Sequence, residues 1–201
     1  KTTAKRGKMV VKQYEMEKNI QIICMIDSSG SMGNGYPENT KLEYAIRAAV
    51  LLTFMGFERK DLVGICVFSD RVHSFVPPGT SQNHMYDVLD ALAMAEPSGW
   101  SDYERAISYV TQQTKKRSLV IWLTDLEESP APLLNAMKKV VANGHRSMVI
   151  SPFGPWFEAP VGQFGPVERV LAEAVSEELW ERRRKISKAL SRFGIAVANV
   201  G

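Results

Sequence analysis

The sequence predicts an α/β fold: a central, mostly parallel six-stranded sheet with one antiparallel edge strand and helices on both faces. Three observations lead there. Strand-like and helix-like segments alternate along the chain, the pattern that βαβ units produce. The runs Ile20 to Ile26 and Leu119 to Leu123 are apolar at nearly every position, as strands covered on both faces are. Both lead into an acidic residue, Asp27 and Asp125, at the strand ends where open parallel sheets bind ligands.

Taken in order, Asn19 to Asp27 reads as the first buried strand. Lys41 to Phe57 reads as a helix with Leu42, Ala45, Ile46, Ala49 and Leu52 on one face, opened by a capping box of Thr40 and Glu43. Leu62 to Ser69 is the second strand. Ser69-Asp70-Arg71 then turns the chain into Val72 to Val76, an antiparallel edge strand ended by Pro77-Pro78-Gly79. Gln82 to Ala95 and Ser101 to Lys115 have helical spacing, separated by Pro97-Ser98-Gly99. Ser118 to Asp125 is a strand. Ser129 caps a helix with Pro130 at its first position and Gly144 as its stop. Arg146 to Phe153 is the next strand, Phe153 to Pro166 a loop, Glu168 to Arg192 a long amphipathic helix and Gly194 to Val200 the last strand.

Composition narrows the function. The 201 residues, 45% of them hydrophobic, suit one domain with a full core. Lys and Arg number 25 against 22 Asp and Glu, and the excess of +3 is too small to argue for nucleic acid. Cys24 and Cys66 each sit in an apolar run and read as buried free thiols. No apolar stretch approaches the roughly 18–20 residues that span a bilayer, and no signal peptide is visible. The chain starts at Lys1, which reads as a fragment of something longer, with a removed membrane anchor as one expectation.

Asp27-Ser28-Ser29-Gly30-Ser31 places a carboxylate and two hydroxyls at alternate positions where a strand gives out into a loop. Hard oxygens of this kind suit Mg²⁺ or Ca²⁺. Asp125 closes a second strand, and Ser98-Gly99-Trp100-Ser101-Asp102 opens a helix between them in sequence. These loops converge if the strands of Asp27 and Asp125 are neighbours, as a doubly wound sheet makes them.

These residues resemble the von Willebrand factor A (vWA) domain with its metal-ion-dependent adhesion site (MIDAS). That pattern has Asp-x-Ser-x-Ser after its first strand, a hydroxyl in a Gly-rich loop and an Asp after a later strand. More narrowly, Tyr14 to Asn19, Lys41-Leu42-Glu43-Tyr44-Ala45, Val67-Phe68-Ser69-Asp70 and Leu123 to Glu128 look like the vWA-like part of the "domain of unknown function 58" proteins. The resemblance implies a Rossmann-like vWA domain over residues 19–201 after a lead-in segment of residues 1–18. It implies a metal site of Asp27, Ser29, Ser31, Ser101 and Asp125, with the three Ser hydroxyls on the ion and the two Asp acting through water. The ion implied is Mg²⁺, with Mn²⁺ or Ca²⁺ as alternatives. It further implies a protein-binding module and not an enzyme. An acidic residue of a partner would complete the coordination, and the role would be that of an adaptor to a MoxR-type AAA+ ATPase. The location implied is a cytoplasmic domain of a membrane-anchored protein.

One departure stands out. The family's Gly-Gly-Thr loop is Gly99-Trp100-Ser101 here, which puts bulk on the rim, and a shift of one residue makes Asp102 the ligand. Ser101 also reads as a helix N-cap with Glu104 completing a capping box. The competing function is a Mg²⁺-dependent phosphohydrolase using Asp27 as nucleophile. Such enzymes carry a second Asp two positions on, where this chain has Ser29. His73, His84 and His145 read as surface residues with no zinc or triad spacing. Arg182-Arg183-Arg184-Lys185 reads as a solvated helix face. Phe153, Trp156, Phe157 and Phe164 form an aromatic loop on the metal's rim, either a partner surface or a segment folded back over the sheet. Glu127 and Glu128 read as the start of a polar loop.

Overall fold

The computed structural model describes residues 19–36, 39–126, 130–152, 157 and 165–200. The lead-in 1–18, Glu127, Glu128, the Ser129 cap, and Phe153, Trp156 and Phe164 of the aromatic loop lie outside the described residues.

Six strands form the main sheet: β1 (Gln21–Asp27), β4 (Leu62–Phe68), β5 (Val72–Gly79), β6 (Ser118–Leu123), β7 (Arg146–Pro152) and β8 (Ala196–Val200). Their order is β5-β4-β1-β6-β7-β8, parallel throughout except for β5, which pairs antiparallel with β4. This is the predicted sheet. The central strand β1 is buried on both faces because its side chains alternate between two cores. Ile23 and Met25 join one core with α3 (Tyr103–Gln113), α4 (Pro130–Ala142) and α5 (Pro166–Ser191). Cys24 and Ile26 join the other with α1 (Lys41–Glu58) and α2 (Gln82–Ala93).

The chain leaves β1 toward β4 on one side and returns to β6 on the other, so the strand order reverses between β1 and β6. That reversal opens a crevice at the carboxyl ends of the two strands. Ile26 pairs with Leu123, which brings Asp27 level with Thr124 and sets Asp125 just beyond.

The structure differs from expectation in three places. β5 runs on through both prolines to Gly79, because an edge strand's outward N–H groups need no partner. α3 is shorter than expected, its first turn starting at Tyr103. And between β1 and α1 the chain forms a 3₁₀ turn (Gly30–Gly33) and a small antiparallel pair, β2 (Gly35–Tyr36) and β3 (Asn39–Thr40). Thr40 caps α1 as predicted, its hydroxyl accepting from Glu43 N at 3.2 Å.

Candidate metal centre

Asp27 is the hub of the crevice and is fully buried. Oδ1 accepts from Ser29 N at 2.9 Å, which turns the backbone sharply out of β1. Oδ2 accepts from Ser101 Oγ at 2.8 Å and from Thr124 Oγ1 at 2.7 Å. The Tyr103 hydroxyl lies 3.1 Å from the same oxygen and 2.9 Å from Thr124 Oγ1, and can donate to either. One carboxylate thus gathers hydroxyls from the loop before α3, from α3 itself and from the end of β6.

The backbone ties the same loops together. Ser98 N donates to Ser28 O at 2.8 Å, and Gly30 N to Gly99 O at 2.9 Å. Gly99 has φ +64°, and a Cβ there would meet Asp70 Oδ1 at 3.2 Å. The first Gly of the loop is therefore required by both backbone conformation and space. Its neighbour Trp100 is 64% exposed, which puts its bulk on the rim as expected.

Ser29 Oγ and Ser31 Oγ stand 3.3 Å apart. Ser101, 6% exposed, points into the cup, and it is Asp102 that caps α3, accepting from Arg105 N at 2.9 Å. The expected Ser101–Glu104 capping box is therefore replaced by Asp102 and Arg105. Asp102 is occupied at the helix while the Ser101 hydroxyl is directed at Asp27.

Asp125 is buried, and Lys41 Nζ lies 3.6 Å from its Oδ2. Its carbonyl oxygen accepts from Arg183 Nη1 at 3.0 Å, and Arg183 Nη2 reaches Ser151 O at 3.5 Å. Arg183 is thus no solvated residue: it is 4% exposed and pins the end of β6 to β7, while Arg182, Arg184 and Lys185 around it face solvent. Leu126 follows in the left-handed region at φ +60°, an uncommon backbone for a non-glycine residue, held there by burial of its side chain in the core.

Burial, and next the Asp125 charge, push the Asp27 carboxyl up to about 6 from its ordinary 3.8, against the pull of its hydrogen bonds. The same burial and the Asp27 charge hold the Tyr103 phenol well above its ordinary value. A buried carboxyl raised by burial and by a second buried carboxylate, set beside a cluster of hydroxyls, belongs to a donor set that a hard divalent cation fits. Among the described residues no three His, Cys, Asp or Glu side chains come together, so hydroxyls make up the rest of the set.

Two of the three histidines also differ from expectation. His73 is exposed, its Nε2 2.6 Å from Ser69 Oγ. His84 and His145 are buried: His84 Nε2 donates to Val63 O at 2.6 Å, and His145 Nδ1 accepts from Ser118 N at 3.1 Å. Of the aromatic loop, Phe157 is 5% exposed and sits edge-on to Tyr44 at 5.3 Å, so this ring folds back onto α1. Thr124, Tyr103 and Arg183 escaped the sequence reading as site residues. Thr124 alone left a signal, standing between Leu123 and Asp125 in the strand-end motif.

Comparison with known proteins gives the family and the fold. The family described as Protein of unknown function DUF58 matches residues 1–155. The chain belongs to the DUF58 family. No curated protein matches it. Among solved structures, this DUF58 chain is similar to the conserved hypothetical protein BatB from Bacteroides thetaiotaomicron, with 20% identity and a TM-score of 0.58 over 90% of each chain. It is also similar to an aerotolerance-related membrane protein from Bacteroides fragilis, with 17% identity and a TM-score of 0.56 over 91% of this chain and 92% of that one. The SpRpn10 VWA domain follows, with 12% identity and a TM-score of 0.51 over 91% of this chain and 88% of that one. At these identities the likeness is one of fold, and the fold of this DUF58 chain is the vWA fold.

Proposed function

We propose that this DUF58 chain is a divalent-metal-dependent protein-binding module of the MIDAS type. The observation that carries the reading is the convergence on Asp27 Oδ2 of Ser101 and Thr124, 74 and 97 residues away in sequence, beside the paired Ser29 and Ser31 hydroxyls. In this reading Ser29, Ser31 and Ser101 would hold the ion, while Asp27 and Asp125 orient its bound waters. When bound, the ion offers an open position to a carboxylate from a partner protein. Mg²⁺ is the proposed physiological ion, with Mn²⁺ and Ca²⁺ as alternatives.

Binding is favoured over phosphoryl chemistry by the state of Asp27. Both its oxygens accept hydrogen bonds and it is buried, a poor setting for a nucleophile that must reach a phosphorus atom. The exposed Trp100 gives the rim an apolar contact next to the acidic recognition point. The partner proposed is a MoxR-type AAA+ ATPase presenting an Asp or Glu. The setting proposed is the cytoplasmic face of a membrane-anchored protein. The Bacteroides fragilis relative is a membrane protein, and no helix among the described residues is long and apolar enough to cross a membrane.

Calorimetric titration with Mg²⁺, Mn²⁺ and Ca²⁺ tests the site. The expected result is saturable binding of at least one ion by the wild type and none by Asp27→Ala. A pull-down with a MoxR-type ATPase, expected to fail in EDTA, tests the role. Capture indifferent to both EDTA and Asp27→Ala overturns the reading.

A further inference from the structure

Lys41 is the first residue of α1 and is 1% exposed, one of the largest fully buried side chains among the described residues. Two things make that position costly. Lysine is almost never fully buried without a charge partner. A cation at a helix N-terminus also opposes the helix dipole. The side chain ends 3.6 Å from Asp125 Oδ2. The backbone of the same residue holds the other metal loop, because Lys41 N donates to Asn34 O at 3.0 Å and Asn34 N donates to Ser31 O at 3.1 Å. One residue therefore touches both the turn carrying Ser31 and the strand end carrying Asp125.

We propose that the Lys41 ammonium is a resident counter-cation of the cup. It stands beside Asp125 when no divalent ion is bound, is displaced when one binds, and so sets the site's affinity for metal. The inference rests on the metal-site reading above. A fixed positive charge beside a carboxylate that also serves a dication competes with it by repulsion and by occupying the carboxylate. Its counterpart benefit is that Asp125 stays neutralised, and the loops stay assembled, without metal. Metal uptake and release of Lys41 are then two sides of one equilibrium.

The test is calorimetric titration of Mn²⁺ into wild type, Lys41→Met, Lys41→Arg and Asp27→Asn. Methionine keeps the length of the side chain and removes its charge. Lys41→Met is expected to bind Mn²⁺ by about tenfold or more tighter than wild type, and Lys41→Arg to stay within about threefold of it. Asp27→Asn is expected to give no binding heat. Binding seen in Lys41→Met and not in wild type is the same result at its limit. A second measurement uses the unaltered chain, so that a misfolded Lys41→Met leaves the idea testable. Acylation of the Lys41 amine by a succinimidyl ester, followed by peptide mass spectrometry, is expected to be slow in EDTA and several times faster in saturating Mn²⁺. Equal Mn²⁺ affinity in wild type and Lys41→Met, or acylation unchanged by Mn²⁺ that is demonstrably bound, overturns this inference and leaves the metal-binding module standing. No binding of Mn²⁺, Mg²⁺ or Ca²⁺ by either chain overturns both.

Discussion

Arg183 and Asp125 are 58 residues apart in sequence, yet the guanidinium of one donates to the main-chain carbonyl of the other at 3.0 Å. A side chain near the end of the last helix therefore fixes the loop that carries the second carboxylate of the cup.

Removing that guanidinium should unsettle the fold. Arg183→Met fills much of the same space but leaves two buried carbonyl oxygens short of a donor, at a cost of roughly 2–4 kcal/mol in unfolding free energy. Arg182→Ala and Arg184→Ala, on the solvent side of α5, should stay within about 0.5 kcal/mol of wild type. Urea denaturation in EDTA measures all three.

The raised carboxyl of Asp27 has a definite sign in stability. Its folded pKa of about 6 exceeds its ordinary 3.8, so the folded state holds the proton more tightly. Its contribution is fully present below pH 3.8 and is lost as pH rises through 6. Between pH 7 and pH 5 the metal-free wild type should gain about 1 kcal/mol relative to Asp27→Asn. Metal affinity should fall over the same interval, because proton and cation share the carboxylate. Melting curves of both proteins in EDTA, and Mn²⁺ titrations at the two pH values, check the two halves.

Thr124→Val keeps the shape of the side chain and deletes a 2.7 Å donor to the buried carboxylate. At pH 7 this should cost about 1–3 kcal/mol. The cost should shrink at pH 5, where the carboxyl is mostly protonated and its hydrogen bonds lose their charge. A cost independent of pH would mean that the hydroxyl does not act on Asp27.

Both thiols should be inert in the folded chain. Cys24 and Cys66 lie on adjoining strands, face different cores, and are free and buried, and burial pushes each up to about 12. A chromogenic disulfide reagent should find no thiol in the native protein and two after denaturation, with no effect from reductant.

Much of the fold could be read from the chain because period and punctuation speak locally. β1 and β6 announce themselves as apolar runs, α1 by its face and its Thr40 cap, α4 by Gly144 as its stop. The residues proposed for the metal stood out for a similar reason: Asp27, Ser29 and Ser31 are neighbours in sequence, and Asp125 marks a strand end. What stayed hidden depends on distance in the chain. Tyr103 lay in a segment marked only by its helical spacing. Arg183 sat in a run of four cations, and only packing separates the one that turns inward. Lys41 read as the polar opening of a helix, since nothing within reach in sequence told of Asp125. His84 and His145 were misplaced likewise, because the carbonyl and amide that accept them into the interior belong to strands far along the chain. β5 overran its expected end because proline forbids a donor, not an extended backbone.

The single oxygen Asp27 Oδ2 answers to three segments at once. A site built this way has no modular parts. Moving Asp27 to Ser31 into another scaffold would transfer the visible motif and leave behind the hydroxyls of Ser101, Tyr103 and Thr124 that give the carboxylate its orientation. Whatever this cup recognises, it can be inherited only together with the sheet that brings those loops to one point.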